Sequence, residues 1–272
     1  MISACFPDIS INVPKYSKDE TFSNAQSAYS NCYRSIRVNH LDAIKDTSQK
    51  NLSDCYLVAT LKALVKSTFG KKWLKESIKT SPEKNAFEVR FNKYSENNIY
   101  HIENNDNYYK MSRRKKFNPT GAVESATLQL VKDREDAKPL YLKIFGYKNP
   151  VEGNLASVFM ETLTGKKPIS IGDKSVLPLT VNKKKAVKLL DEIADTPDGK
   201  HSFVSGSKLL NCSDEVSSMH YYVIDKVNKA KKEIHLINPR YKDLTISYEE
   251  FLKNFRSIVG YFDSKIIKKR VK

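Results

Sequence analysis

Leu57, Val58, Leu61, Leu64 and Val65 fall at i, i+1, i+4, i+7 and i+8, one apolar stripe at helical period. The pattern predicts a helical region from about 49 to 80, with Ser53 and Asp54 as N-cap types at the start of the stripe. Phe87–Phe91 alternates apolar and polar and predicts a short strand, whereas Asn92–Asn107 is polar and reads as a loop. Ala122–Lys132, with Ala122, Val123, Ala126 and Leu130 on one side, predicts a second helix. Leu155–Leu163 predicts a third, closed by Gly165 as a C-cap. Ser170–Pro178 carries turn residues and reads as a crossing between lobes. Lys183–Ile193 is a basic amphipathic helix. The chain then turns strand-rich at His201–Ser205, His220–Val227 and Glu233–Asn238. Ser247-Tyr248-Glu249-Glu250 is a capping box ahead of Phe251 and Leu252. Helices first and strands after predict an α+β fold with segregated layers. The expected organisation is an N-terminal extension over 1–44, a helical lobe over 45–168 and a sheet-rich lobe over 169–272.

Composition narrows the class. A hydrophobic fraction of 40% over 272 residues supports a packed core. Cys5, Cys32, Cys55 and Cys212 are scattered with no CxxC pair, which argues against a disulfide framework or a zinc site of the usual spacing and points to a reducing compartment. No segment approaches the roughly 18 consecutive apolar residues of a membrane span. Met1–Ser10 lacks the charged and apolar regions of a secretory signal. The net charge is +16, while residues 1–44 hold four basic and four acidic residues, so the excess lies beyond them. It gathers at Arg113–Lys116, Lys183–Lys185 and Lys268–Arg270. Such runs most often form a solvated surface, and they could meet an anionic surface or an acidic protein.

The candidate chemistry starts at Cys55, placed at the first turn of the first predicted helix. There the macrodipole and unpaired N–H groups are expected to favour a thiolate. Gln49, six residues earlier, offers a side-chain amide for an oxyanion. A lone cysteine on a helix is usually core, so the reading depends on a base and a group to orient it. Of His40, His101, His201, His220 and His235, strand pairing selects one. A hairpin closing symmetrically about residue 229 sets His220 opposite Asn238, whose side-chain oxygen would hold the imidazole. In that register Asp225 and His235 point to the other face.

Gln49-x-x-Leu52-x-Asp54-Cys55-Tyr56-Leu57 resembles the active-site helix of calpains, the papain-like cysteine peptidases in which Gln-Gly-x-Leu-Gly-Asp-Cys-Trp-Leu is usual. His220-x-Tyr222 is similar to the family's Gly-His-x-Tyr strand, with Met219 where the glycine stands, and Ile237-Asn238-Pro239 resembles its Arg-Asn-Pro segment, with Arg240-Tyr241 in place of Trp-Gly. Leu163-Thr164-Gly165 and Ser247–Leu252 resemble two further family blocks, so that the series spans roughly residues 45–262.

The resemblance implies a two-lobe papain-like fold and a cysteine endopeptidase acting on a protein substrate. Cys55 would be the nucleophile, His220 the base, Asn238 the orienter and Gln49 the oxyanion donor. Gly146 is the candidate for the glycines that line the family's substrate cleft. No EF-hand loop and none of the family's calcium-ligand loops can be matched, so no metal or other cofactor is expected, and calcium activation lacks sequence support. Two alternatives stay open. One is another thiol acyl-transfer enzyme: a deamidase, acyltransferase or isopeptidase. The other is an inactive binding module using its basic surface. The Lys/Asn-rich composition fits a microbial effector that works in the cytoplasm, delivered into a host cell without a cleaved signal.

Overall fold

A computed structural model describes residues 41–81, 84–138, 151–173 and 181–264. The chain divides between Val38 and Asn39 into two units, and the described residues all belong to the second. The N-terminal extension (apart from residues 41–44), Cys5, Cys32, Gly146 and the Lys268–Arg270 run lie outside them.

Helix α1, Cys55–Lys66, is the centre of the larger of the two apolar cores among the described residues. Ten of its twelve residues are buried, so the apolar stripe of the sequence is one side of a helix covered nearly all round. The expected continuous helix breaks at Ser67. Its N–H bonds the Leu64 carbonyl, and its Oγ accepts from the Gly70 N–H to cap α2, Thr68–Ser77. Gly70 permits the bend, since a Cβ there would lie 2.3 Å from the Leu64 carbonyl oxygen.

α2 runs straight into β1, Ile78–Ser81, which pairs antiparallel with β2, Ala86–Arg90, and β2 with β3, Ile99–Glu103. β3 corrects the loop expected over Asn92–Asn107. Its buried positions are only Tyr100 and Ile102, so a short alternation was hidden in a polar stretch. The same stretch ends in α3, Asp106–Ser112, capped by Asn105. α4, Pro119–Asp133, starts with Pro at N1 and Asn118 accepting from the Gly121 N–H. α5, Ala156–Thr164, ends as expected at Gly165, whose φ of 68° is left-handed.

Among the described residues the second sheet has six strands in the order β4-β9-β5-β6-β7-β8, all antiparallel. β4 is Ile169–Ile171, β5 His201–Ser207, β6 Tyr221–Asn228, β7 Glu233–Ile237, β8 Leu244–Ser247 and β9 Phe255–Phe262. β4 occupies part of the expected crossing at 170–178. It pairs with β9, a strand that the sequence pattern did not mark. Val204, Tyr221, Val223, Val259 and Tyr261 join the core around α1, whereas Phe203, Tyr222, Ile224 and Ile258 join a second core with α6, Lys183–Ala194, and α7, Tyr248–Asn254. The sheet is therefore covered on both faces, which is why Tyr221–Ile224 is an unbroken buried run rather than an alternation. The α+β class holds, with antiparallel sheets.

Charge is distributed differently from the simple surface reading. Arg114, inside the run at 113–116, is buried against Glu124, its Nε donating at 2.7 Å. Lys183, Lys184 and Lys185 are exposed at the start of α6. Among the described residues no helix is long and apolar enough to cross a membrane.

Candidate active site

The first residue of α1 and the strand opening at Tyr221 meet at one cleft of about 300 Å³. Cys55, His220 and Gln49 line it, together with Tyr221, Arg240 and Arg256. Cys55 is a free thiol whose Sγ lies 3.9 Å from the Met219 carbonyl oxygen. Met219 itself takes a φ of 52°, a left-handed conformation natural to glycine.

The orientation of the imidazole follows from hydrogen-bond accounting. Asn238 Oδ1 accepts from the Arg240 N–H at 3.0 Å and the Tyr241 N–H at 3.1 Å. That atom is therefore the carbonyl oxygen of the amide, not its nitrogen. The same oxygen lies 2.9 Å from His220 Nε2, so neutral His220 carries its proton on Nε2 and its lone pair on Nδ1. Asn238 is fixed from behind by its own N–H, which donates to Asp243 Oδ1 at 3.0 Å. Tyr222 meets the His220 ring edge-on with centroids 5.0 Å apart, and Tyr241 lies 6.5 Å away.

The route by which His220 and Asn238 meet corrects the expected hairpin. The register pairs Val223 with Ile237 and Asn228 with Glu233, and it shifts by a bulge between Ile224 and Lys226. Four residues, Lys229–Lys232, close the turn. His220 precedes the first β6 residue, Tyr221, and Asn238 follows the last β7 residue, Ile237. The two side chains thus meet at the open end of the hairpin, not as directly opposed strand residues. Asp225 and His235 bond each other at 2.9 Å, and Asp225 also pairs with Lys66 at the far end of α1 from Cys55.

Gln49 is held in the cleft wall by its backbone N–H, which donates to the Pro239 carbonyl at 2.7 Å. Its Nε2 donates to the Leu52 carbonyl at 2.6 Å, leaving Oε1 buried without a partner. The expected oxyanion donor therefore already has one N–H engaged, with the second remaining on the same nitrogen. Gly146 lies outside the described residues, and Gly153 and Gly206 line the cleft.

The electrostatics overturn the expected thiolate. Burial pushes the Cys55 thiol up to about 12; the backbone N–H of Tyr221 opposes this, and the Asp54 charge adds to it. Burial also lowers the His220 pKa, against the Asn238 hydrogen bond, with Arg240 adding to the lowering. Both effects favour the neutral pair of thiol and imidazole. Asp54 explains part of this. It occupies the N-cap of α1 but makes no side-chain cap bond, and it is fully buried near Glu124. Burial first, and Glu124 second, hold its carboxyl well above the usual range.

Three groups escaped sequence reasoning because their partners are distant along the chain. Ser207 Oγ accepts from the His220 N–H at 2.9 Å and so fixes the backbone of the imidazole residue. Arg114 joins Glu124 and donates to the Ser48 carbonyl at 3.0 Å, beside Gln49. Tyr221 donates to Asp173 Oδ1 at 2.5 Å. Among the described residues no three His, Cys, Asp or Glu side chains gather as a metal site. No family model and no curated protein matches the chain.

Proposed function

We propose that the chain is a calpain-type, papain-like cysteine endopeptidase, with a helical lobe over 45–168 and a sheet-rich lobe over 169–272. The observation that supports it most is the tautomer at His220. Asn238 Oδ1, fixed by two backbone N–H groups, accepts from Nε2–H and leaves the lone pair on Nδ1 of a ring that lines the same cleft as Cys55. With a buried thiol, the proton leaves Sγ for Nδ1 as sulfur attacks the peptide carbonyl, so neither partner need be ionised beforehand. The imidazolium then protonates the departing amine, and a thioester remains on Cys55. Water, deprotonated by the same nitrogen, releases the acid and restores the thiol. Gln49 Nε2 and the Cys55 N–H would hold the oxyanion, at about 3 kcal/mol per donor. The substrate is a protein chain, and the free thiol suits the cytoplasm of a host cell into which an effector is delivered.

Met219, 39% exposed beside the cleft, and Arg240 favour one second reading, a related thiol enzyme with another bond or acceptor: a deamidase or isopeptidase, which hydrolyses a side-chain amide or an isopeptide bond, or an acyltransferase, which passes the acyl group to an acceptor other than water. The chemistry at Cys55 is the same, and product mass separates the two. Cys55→Ala and His220→Ala should each abolish turnover while leaving the melting temperature within a few degrees of wild type. Asn238→Ala should retain a small fraction of it. Acid-quenched turnover should show a thioester of the N-terminal product on Cys55 by intact mass. Full activity of Cys55→Ala sinks the reading.

A further inference from the structure

The segment that carries His220 meets β5 through a side chain rather than through an unbroken ladder. In an antiparallel pair, two opposed residues can exchange both N–H···O=C bonds. Ser207, the last residue of β5, donates its N–H to the His220 carbonyl at 2.8 Å, which is one of the two. The reciprocal bond goes elsewhere. The His220 N–H donates to Ser207 Oγ at 2.9 Å, not to the Ser207 carbonyl. The Ser207 hydroxyl has one hydrogen, and the nearer of its two acceptors is the Ser217 carbonyl at 2.6 Å, with the His220 carbonyl at 3.1 Å. One hydroxyl, on a residue only 1% exposed, therefore holds both ends of the turn 217–220.

Between those ends the backbone is strained. Met219 takes a φ of 52°, and its N–H donates to the Lys208 carbonyl at 2.8 Å. A left-handed methionine persists where its surroundings over-determine it. The end of β5 does so here, with Ser207 Oγ bonded to Ser217 and His220 and the Lys208 carbonyl bonded to Met219 between them. The turn delivers two groups to the cleft. The Met219 carbonyl oxygen lies 3.9 Å from Cys55 Sγ, and His220 lines the same wall. Asn238 orients the imidazole through Nε2, while the backbone bonds at Ser207 set where its Cα stands.

We propose that Ser207 is a positioning residue for the reaction at Cys55. Its hydroxyl, by closing the turn, sets the distance of the imidazole and of the Met219 carbonyl from the thiol. The proposal rests on the reading of Cys55 and His220 as nucleophile and base. Alanine at 207 takes away the acceptor of the His220 N–H and a donor to the Ser217 carbonyl. Met219 can then leave the left-handed region, and the ring moves with it. Misplacement by about 1 Å is enough to slow a reaction roughly a hundredfold. The rest of the cleft is untouched, so the loss falls on kcat rather than KM.

The test reads the ring and the turnover separately in the full-length chain. A peptide cut by wild type, taken from a mixed library, serves as substrate. Ser207→Ala should lower kcat by about 10- to 100-fold, with KM within about twofold of wild type. Ser207 and Asn238 hold the same ring, so the Ser207→Ala, Asn238→Ala double variant should lose far less than the product of the two single losses. In chain carrying isotope-labelled histidine, the Nε2 proton of His220, assigned by its absence in His220→Gln, should give a sharp magnetic-resonance signal in wild type. In Ser207→Ala that signal should broaden or vanish. Should Ser207→Ala melt below the assay temperature, Ser207→Cys, similar in shape and poor in hydrogen bonding, takes its place. A kcat within about threefold of wild type, a loss carried by KM, multiplicative losses in the double variant, or an unchanged Nε2 signal would overturn the role of Ser207. If wild type cuts no peptide and the Nε2 signal still goes with the Ser207 hydroxyl, the peptidase reading falls and the hold of Ser207 on His220 stands.

Discussion

Cys55 and Asp54 are neighbours in sequence with opposite relations to the site, one lining the cleft and the other sealed behind it. A thiol held up at about 12 makes a definite kinetic claim. The rate of Cys55 alkylation by iodoacetamide should rise continuously from neutral pH to beyond pH 9. It should show no plateau of the kind that a preformed thiolate gives below pH 7. With the His220 pKa lowered, the imidazole is already neutral at pH 7, so the acid limb of peptide cleavage should lie below pH 6.5. Asp54 makes a stability claim of the opposite kind. Its pKa is raised in the folded state, so its contribution is complete below the unfolded value of 3.8 and is lost as pH rises through the folded value. Asp54→Asn removes that loss. The melting temperature of the variant should exceed that of wild type at pH 8, and the gap should close toward pH 4. A variant less stable than wild type at pH 8 would show that the carboxyl holds the site together through its contacts with Glu124.

The elements that could be read in the sequence are those whose own residues decide them. α1 follows from its apolar stripe, α6 from Lys183–Ile193, and α7 from Ser247 Oγ accepting the Glu250 N–H at 3.1 Å. Gly165 was legible for the same reason, because a left-handed residue after an apolar run is a local matter. It also bears a testable load: a Cβ there would lie 2.5 Å from the Asn92 carbonyl oxygen at a φ of 68°. Gly165→Ala should cost about 1 to 2 kcal/mol by denaturant titration, more if Asn92 cannot yield. Strands were harder. β3 has two inward residues, and β9 is buried at every position, so neither shows the period of two that marks a half-buried strand. The hairpin of β6 and β7 was legible as a pair but not in register, because a bulge at Asp225 and a four-residue turn cannot be counted from polarity alone.

At the scale of the whole molecule, the candidate site depends on how a helix start and the ends of two interior strands, β6 and β7, are brought together. The sequence pointed to Cys55, His220, Asn238 and Gln49, since each sits in a short recognisable string. The buried polar contacts around the site did not show, because Arg114 meets Glu124 across ten residues, Tyr221 meets Asp173 across 48, and Arg256 meets Tyr221 across 35. Burial of Cys55 turns an expected thiolate into a thiol, and Arg256 puts a guanidinium of β9 into the cleft wall. The most direct test is digestion of a mixed peptide library at neutral pH under reducing conditions, with and without calcium, wild type beside Cys55→Ala, with products weighed by mass spectrometry. The account predicts internal cuts that release new amines and acids in wild type and vanish in Cys55→Ala. Cuts that persist in Cys55→Ala, or products changed by deamidation or group transfer with no peptide bond broken, would contradict it.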